Sequence, residues 1–134
     1  MDQRTHLSIH PALVGAVVDL SDGAATVTLV GTDSMAADER GLVHGGFTFG
    51  LADYAAMVAV NDPFVVLGAA ETKFLAPVRV GQTMTATATR SAQKGRKHTV
   101  DVVVRVDGAD VMTGAFTAFV LDAHVLGDDG AAEG

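Results

Sequence analysis

Two spacings of apolar residues divide the chain. Leu13 to Leu20 (LVGAVVDL) and Ala24 to Gly31 (AATVTLVG) are β-type runs, separated by the hairpin signal Ser21-Asp22-Gly23. Thr32 to Arg40 (TDSMAADER) is polar and irregular, and predicts a loop. From Gly45 to Val60 the chain is almost wholly apolar, with four alanines inside it, and it stops at Asn61-Asp62-Pro63. That composition predicts a helix, since alanine, leucine and methionine favour one and Pro63 forbids its continuation. Strand patterns then return. Phe64 to Ala76 is long and mostly apolar, and Gln82 to Ser91 alternates threonine with methionine and alanine. Lys97 to Val106 and Asp110 to Leu121 follow, with turns at Lys94-Gly95-Arg96 and Asp107-Gly108.

The predicted order is β-β-α-β-β-β-β. Short turns predict that the last four strands form a meander of antiparallel neighbours. One helix against a six-stranded sheet is an α+β domain. A helix apolar nearly all round must be covered on most sides. A sheet that curls around it supplies that cover, and a second subunit would complete it. Residues 1–126 read as a single domain, and the small, acidic stretch 127–134 (GDDGAAEG) is expected to be a disordered tail.

Composition narrows the function. At 134 residues the chain can build a core without metal or disulfide support, and it contains no cysteine. Thiolate zinc sites and cysteine nucleophiles are thereby excluded, and a reducing compartment fits. Nine basic against 16 acidic residues give a net charge of −7, which argues against a nucleic-acid partner. No apolar run approaches the ~18 residues of a membrane span. The first residues, MDQRTHLSIHPALVG, lack the basic-then-apolar order of a signal peptide. The expectation is a soluble cytoplasmic protein with no membrane partner. Almost half of the chain, 49%, is apolar, so surface is expected to be buried between subunits of a homodimer or homotetramer.

The candidate chemistry lies in HGGFTFGLAD, residues 44–53. Between Gly45 and Asn61 the only ionisable side chains are Asp53 and Tyr54. A carboxylate on such a helix is costly to bury unless it is paired or used. By itself, it fits a solvent gap or a neighbouring hydroxyl as well as catalysis. His44-Gly45-Gly46 adds a second element. Glycines in the first turn let a ligand approach the backbone, and the free N–H groups there can polarise a carbonyl. A tight turn into the helix is the plain alternative. Asp53 lies eight residues beyond Gly45, about 12 Å along the axis. One carbonyl cannot touch both, so a shared site requires the donor from one subunit and the acid from another.

Gly41-Leu42-Val43-His44-Gly45-Gly46 followed by Leu51-Ala52-Asp53 resembles the signature of hotdog-fold acyl-CoA thioesterases of the PaaI type. Phe74-Leu75-Ala76-Pro77-Val78-Arg79-Val80-Gly81 is similar to that family's strand ending in a proline and a glycine. The likeness covers roughly residues 12 to 122. It implies a long central helix wrapped by a curved six-stranded antiparallel sheet. It also implies hydrolysis of an acyl-CoA without a cofactor. The Gly45 N–H would polarise the thioester carbonyl, with His44 shaping the loop and Gly46 beside it. Asp53 of the facing subunit would act as base or nucleophile.

Two positions depart from the family pattern. Asp38 stands six residues before the histidine, where relatives often carry an amide that helps hold the water. Met57 stands one turn after the acid, where some carry a hydroxyl, and is expected to line an acyl pocket. Thr48 offers a hydroxyl, although a mid-helix threonine more often serves packing. These departures favour, as the alternative, a non-catalytic acyl-CoA-binding or sensing domain. A hydratase would want a histidine–acid pair in one cleft, which His44 and Asp53 provide only across subunits.

Lys94, Arg96 and Lys97 gather three of the nine basic residues in one hairpin, where they could meet the phosphates of coenzyme A or simply be solvated. Lys73 and Arg79 are alternatives. His6, His10, His98 and His124 show no metal-ligand spacing, so no metal is expected. Phe47, Phe49, Phe64 and Phe74 read as core. No phosphate-binding glycine motif follows a strand, which disfavours nucleotide-triphosphate and NAD chemistry.

Overall fold

The chain enters its sheet through one helical turn, α1 (Pro11–Val14), where the apolar pattern alone predicts strand from Leu13. Pro11 occupies the first turn, where its missing N–H costs nothing, and His10 Nδ1 accepts a bond from the Ala12 N–H. Gly15 then reverses the chain at φ 107°, a conformation only glycine adopts freely. A Cβ there would lie 2.7 Å from the Thr28 carbonyl oxygen, so the close approach also demands glycine. β1 (Ala16–Ser21) and β2 (Ala24–Val30) follow as the expected hairpin, closed by Ser21 opposite Ala24. This computed structural model describes residues 1–127; the expected tail lies, from residue 128 on, outside the described residues.

After the polar loop comes α2 (Gly45–Val60), with the bounds that the sequence predicts. Asn61 takes the left-handed conformation at φ 55° and returns its N–H to the Met57 carbonyl at 2.9 Å, a role more often given to glycine. Its side chain has a second use: Oδ1 accepts the Arg4 N–H at 2.6 Å and Nδ2 donates to the Asp2 carbonyl at 2.8 Å. Gln3 reaches the Tyr54 hydroxyl at 2.9 Å. The first residues of the chain are thus fastened along the helix.

Four strands follow: β3 (Val65–Phe74), β4 (Thr83–Lys94), β5 (Lys97–Val106) and β6 (Ala109–Val120). The sheet is antiparallel throughout, in the order β1-β2-β4-β5-β6-β3. β4, β5 and β6 form the expected meander, but β3 does not adjoin β4. It pairs with β6 at the far edge, while β4 pairs with β2. The reason lies in the connection 75–82, which is no tight turn. It is held against the segment that leads into α2, with the Val43 N–H on the Val78 carbonyl and the Val80 N–H on the Gly41 carbonyl, each at 2.8 Å. Gly31 then bonds Gln82, which starts β4 beside β2.

The inward side chains of the sheet include Val27, Met84, Ala86, Val100, Val102, Val104 and Phe116, all fully buried against α2. The helix answers with Leu51, Ala52, Ala55, Ala56, Val58 and Ala59. Alanines at this contact let backbone approach backbone, and each larger buried aliphatic contributes about 1.5–3 kcal/mol. One long helix wrapped by a curved six-stranded sheet is the hotdog fold. No helix among the described residues is long and apolar enough to cross a membrane.

Candidate active site

Three backbone bonds set the start of α2. The His44 N–H donates to the Met35 carbonyl at 2.9 Å, and the two bonds from the 75–82 connection hold the approach. His44 caps the helix with extended backbone (φ −60°, ψ 129°), but its side chain makes no capping bond. The N–H groups of Gly45 and Gly46 therefore find no acceptor among the described residues. Donors of this kind at the positive end of a helix dipole suit an oxyanion. The His44 imidazole is exposed, lies over Gly46 and meets the Phe47 ring edge-on, with centroids 6.2 Å apart.

Asp53 sits two turns further along. Its Oδ1 is buried and accepts no hydrogen bond from the described residues. Burial raises the carboxyl from its ordinary 3.8 to about 6, with no cation offsetting it. Gly46, Gly50 and Asp53 follow the i, i+4, i+7 spacing of one helix face, and a Cβ at Gly50 would meet nothing within 4 Å. The acid thus shares a face with an open gap. Nothing in one chain brings Asp53 and the Gly45 N–H together, since they lie about 12 Å apart along the axis.

An apolar groove of about 420 Å³ opens beside Gly45, walled by Leu42, Phe74, Leu75, Pro77 and Val111. Phe74 is not core, as the sequence suggests, but 55% exposed, with Cε1 3.4 Å from where a Gly45 Cβ would stand. Phe64 is likewise partly exposed, and Phe47 and Phe49 are half-buried. The signal for Phe74 was its place at the end of an edge strand, just before Leu75-Ala76-Pro77.

The other expected site residues scatter. Asp38 is exposed, and its Oδ1 accepts the N–H groups of Arg40 at 3.0 Å and Leu42 at 3.3 Å, so the carboxylate shapes its own loop. Met57 is 1% exposed and packs in the core, presenting no surface to a cleft within one chain. Thr48 is buried and donates to Met84 Sδ at 3.5 Å, which is packing. Lys94, Arg96 and Lys97 lie at the other end of the sheet from Gly45. The Val120 N–H bonds the Arg96 carbonyl there, and Val120 pairs with Val65 at the start of β3, beside the end of α2. Arg96 is also ion-paired with Asp122. No three His, Asp or Glu side chains gather as a metal site among the described residues.

Comparison with known proteins adds identity to this geometry. The family model described as thioesterase superfamily matches residues 40–113, which span the Gly45 turn and Asp53. An uncharacterized protein from Pyrococcus horikoshii, PH1136, is 49% identical, with a TM-score of 0.93 over 95% of this chain and 98% of its own. The PaaI protein from the phenylacetic acid degradation operon of E. coli is 28% identical, with a TM-score of 0.77 over 84% of this chain and 83% of its own. A methylthioribose-1-phosphate isomerase of Aquifex aeolicus is 46% identical over 96% of this chain, which spans only 28% of that protein. The transcription factor FapR of Caldanaerobacter subterraneus subsp. tengcongensis is 28% identical over 85% of this chain, which spans 58% of it. The chain thus covers less than two thirds of the length of these curated relatives, while it covers 98% of the Pyrococcus horikoshii protein and 83% of the E. coli one. It belongs to the thioesterase superfamily.

Proposed function

We propose that the protein is an acyl-CoA thioesterase whose site is completed by a second copy of the chain. The observation that carries the reading is Asp53, half-buried, whose Oδ1 is buried and accepts no hydrogen bond among the described residues, on the helix whose own N-terminal N–H groups find no acceptor among them either. The two-subunit arrangement has a structural opening. β3 is an edge strand bonded only to β6, and it runs antiparallel to α2, from Val65 near Asp62 to Phe74 at Gly45. Antiparallel pairing of two β3 edges sets the helices side by side in opposite directions. The helix start of one copy then faces the middle of the other.

In such a site the thioester carbonyl accepts from the Gly45 N–H of one copy, with Gly46 allowing close approach and His44 holding the turn. Asp53 of the other copy acts on the carbonyl carbon by one of two routes. As base it takes a proton from water while the water oxygen attacks; as nucleophile it forms an anhydride that water then cleaves. In both, the tetrahedral oxyanion rests on the Gly45 N–H, and its collapse expels the CoA thiolate, which takes up a proton. A carboxylate raised to about 6 is a stronger base than an ordinary one and is still ionised at neutral pH.

A second reading is a non-catalytic acyl-CoA sensor. It is favoured by the likeness to a transcription factor and by Met57, buried where some relatives have a hydroxyl. A panel of short, aromatic and long acyl-CoAs, followed by release of free CoA, tests both. Turnover that disappears in Asp53→Asn supports the enzyme. Full activity in that variant overturns the catalytic role, and tight binding without turnover favours the sensor.

A further inference from the structure

Arg40 and Arg79 are brought together by the crossing that places β4 beside β2. Leu42 and Arg79 form an isolated antiparallel bridge, and the Val80 N–H bonds the Gly41 carbonyl at 2.8 Å. Arg40, two residues before Leu42, and Arg79 thereby line one cleft of about 240 Å³ with Leu42, Pro77 and Asp38.

Arg40 and Arg79, like Arg4 in the first residues of the chain, form none of the ion pairs that the arginines of the β4–β6 meander make. Arg90, Arg96 and Arg105 each have a carboxylate partner, in Asp22, Asp122 and Asp110. Arg40 and Arg79 form no ion pair among the described residues, in a chain with 16 acidic residues. The nearest candidate, Asp38, is turned to its own loop, where it accepts two backbone N–H bonds. Two planar cations facing solvent across one cleft suit a multiply charged oxyanion, which each can hold with paired N–H bonds.

Continuity with the site selects the anion. Leu42 and Pro77 wall both this cleft and the apolar groove that reaches Gly45. Arg40 is five residues from Gly45, at most about 18 Å along the chain. We propose that Arg40 and Arg79 hold the phosphate groups of coenzyme A, with the pantetheine arm crossing the Leu42–Pro77 ridge to the Gly45 N–H. This rests on the thioesterase reading above. It assigns the nucleotide end to this cleft rather than to Lys94 and Lys97, which lie at the other end of the sheet from Gly45 within one chain.

The test compares a short saturated acyl-CoA with the same acyl group on pantetheine, which carries no phosphate. For Arg40→Ala/Arg79→Ala, KM for the acyl-CoA rises about tenfold or more with kcat retained, while acyl-pantetheine kinetics do not change. Raised salt weakens the wild-type preference for the CoA ester and leaves the pantetheine ester alone. An unchanged KM in the double variant, an equal loss on both thioesters, or the KM effect appearing in Lys94→Ala/Lys97→Ala instead would each overturn the assignment. Wild-type turnover of acyl-pantetheine upholds the thioesterase reading whatever the arginines do. Calorimetric binding of CoA to wild type and the arginine double variant reads the phosphate site even if neither thioester is cleaved: equal affinities overturn it.

Discussion

A Cβ on Gly46 would lie 2.8 Å from Nε2 of His44, so the imidazole occupies the space that any side chain at position 46 would need. Glycine here leaves room for the exposed imidazole above it, which a side chain at 46 would displace. Gly46→Ala gains up to about 1 kcal/mol of helix propensity but must push the ring aside. The expected variant is as thermally stable as wild type, with kcat/KM for an acyl-CoA lowered about tenfold. Unaltered kinetics would show that the position of His44 does not matter to the site.

Gly45→Pro removes one N–H and adds a ring whose Cβ would stand 3.4 Å from Phe74 Cε1. Proline is favoured in the first helical turn, and His44 already has the extended backbone that a following proline requires. If the Gly45 N–H stabilises the oxyanion, kcat falls about 10²–10³-fold in a protein with wild-type circular dichroism. A fully active proline variant would assign that donor elsewhere.

The Asp53 carboxyl gives opposite predictions for stability and activity. Its folded value of about 6 lies above the ordinary 3.8. Between those two values the folded chain holds more protons than the unfolded one, so stability falls as pH rises through that window and is level above it. Activity runs the other way, since base and nucleophile both need the anion: kcat/KM rises with pH through about 6. Asp53→Asn is therefore expected to be inactive yet more stable at neutral pH, by on the order of 1–2 kcal/mol after solvent screening. Melting curves across pH check this, and a loss of stability at neutral pH would contradict it.

Asn61 combines a left-handed cap with two bonds to the first residues of the chain. Asn61→Ala loses both and is expected to cost about 1–3 kcal/mol. Asn61→Gly keeps the backbone conformation and loses only the side-chain bonds, so it should be the milder of the two. Denaturant midpoints separate them; equal losses would mean that the cap conformation contributes little.

The sequence made the local features legible. Gly45 and Asn61-Asp62-Pro63 bracket α2 because start and stop are encoded by the residues at those places, and β5 is bounded by glycine turns on both sides. The eight-residue gap from Gly45 to Asp53 is what the two-subunit proposal rests on. Non-local pairing was not legible: β3 joins β6 because residues 75–82 bond to residues 41–43, and no turn residue signals that. Nor was the α1 turn, since Leu13-Val14 reads as strand until Pro11 and the His10 cap are weighed. Phe74 looked like core because hydrophobicity does not reveal that an edge strand ends beside a helix start. Met57 looked like a pocket wall because the family comparison places it near the acid, whereas packing turns it inward.

Subunit complementation measures the central claim most directly. Asp53→Asn and Gly45→Pro, each inactive alone, are mixed, dissociated and allowed to reassemble. In a mixed dimer, one site combines the intact Asp53 of one chain with the intact Gly45 of the other. Activity should return to about one quarter of wild type when pairing is random. No recovery, with mixed dimers shown by native mass spectrometry to have formed, would place both groups in one chain and contradict the account.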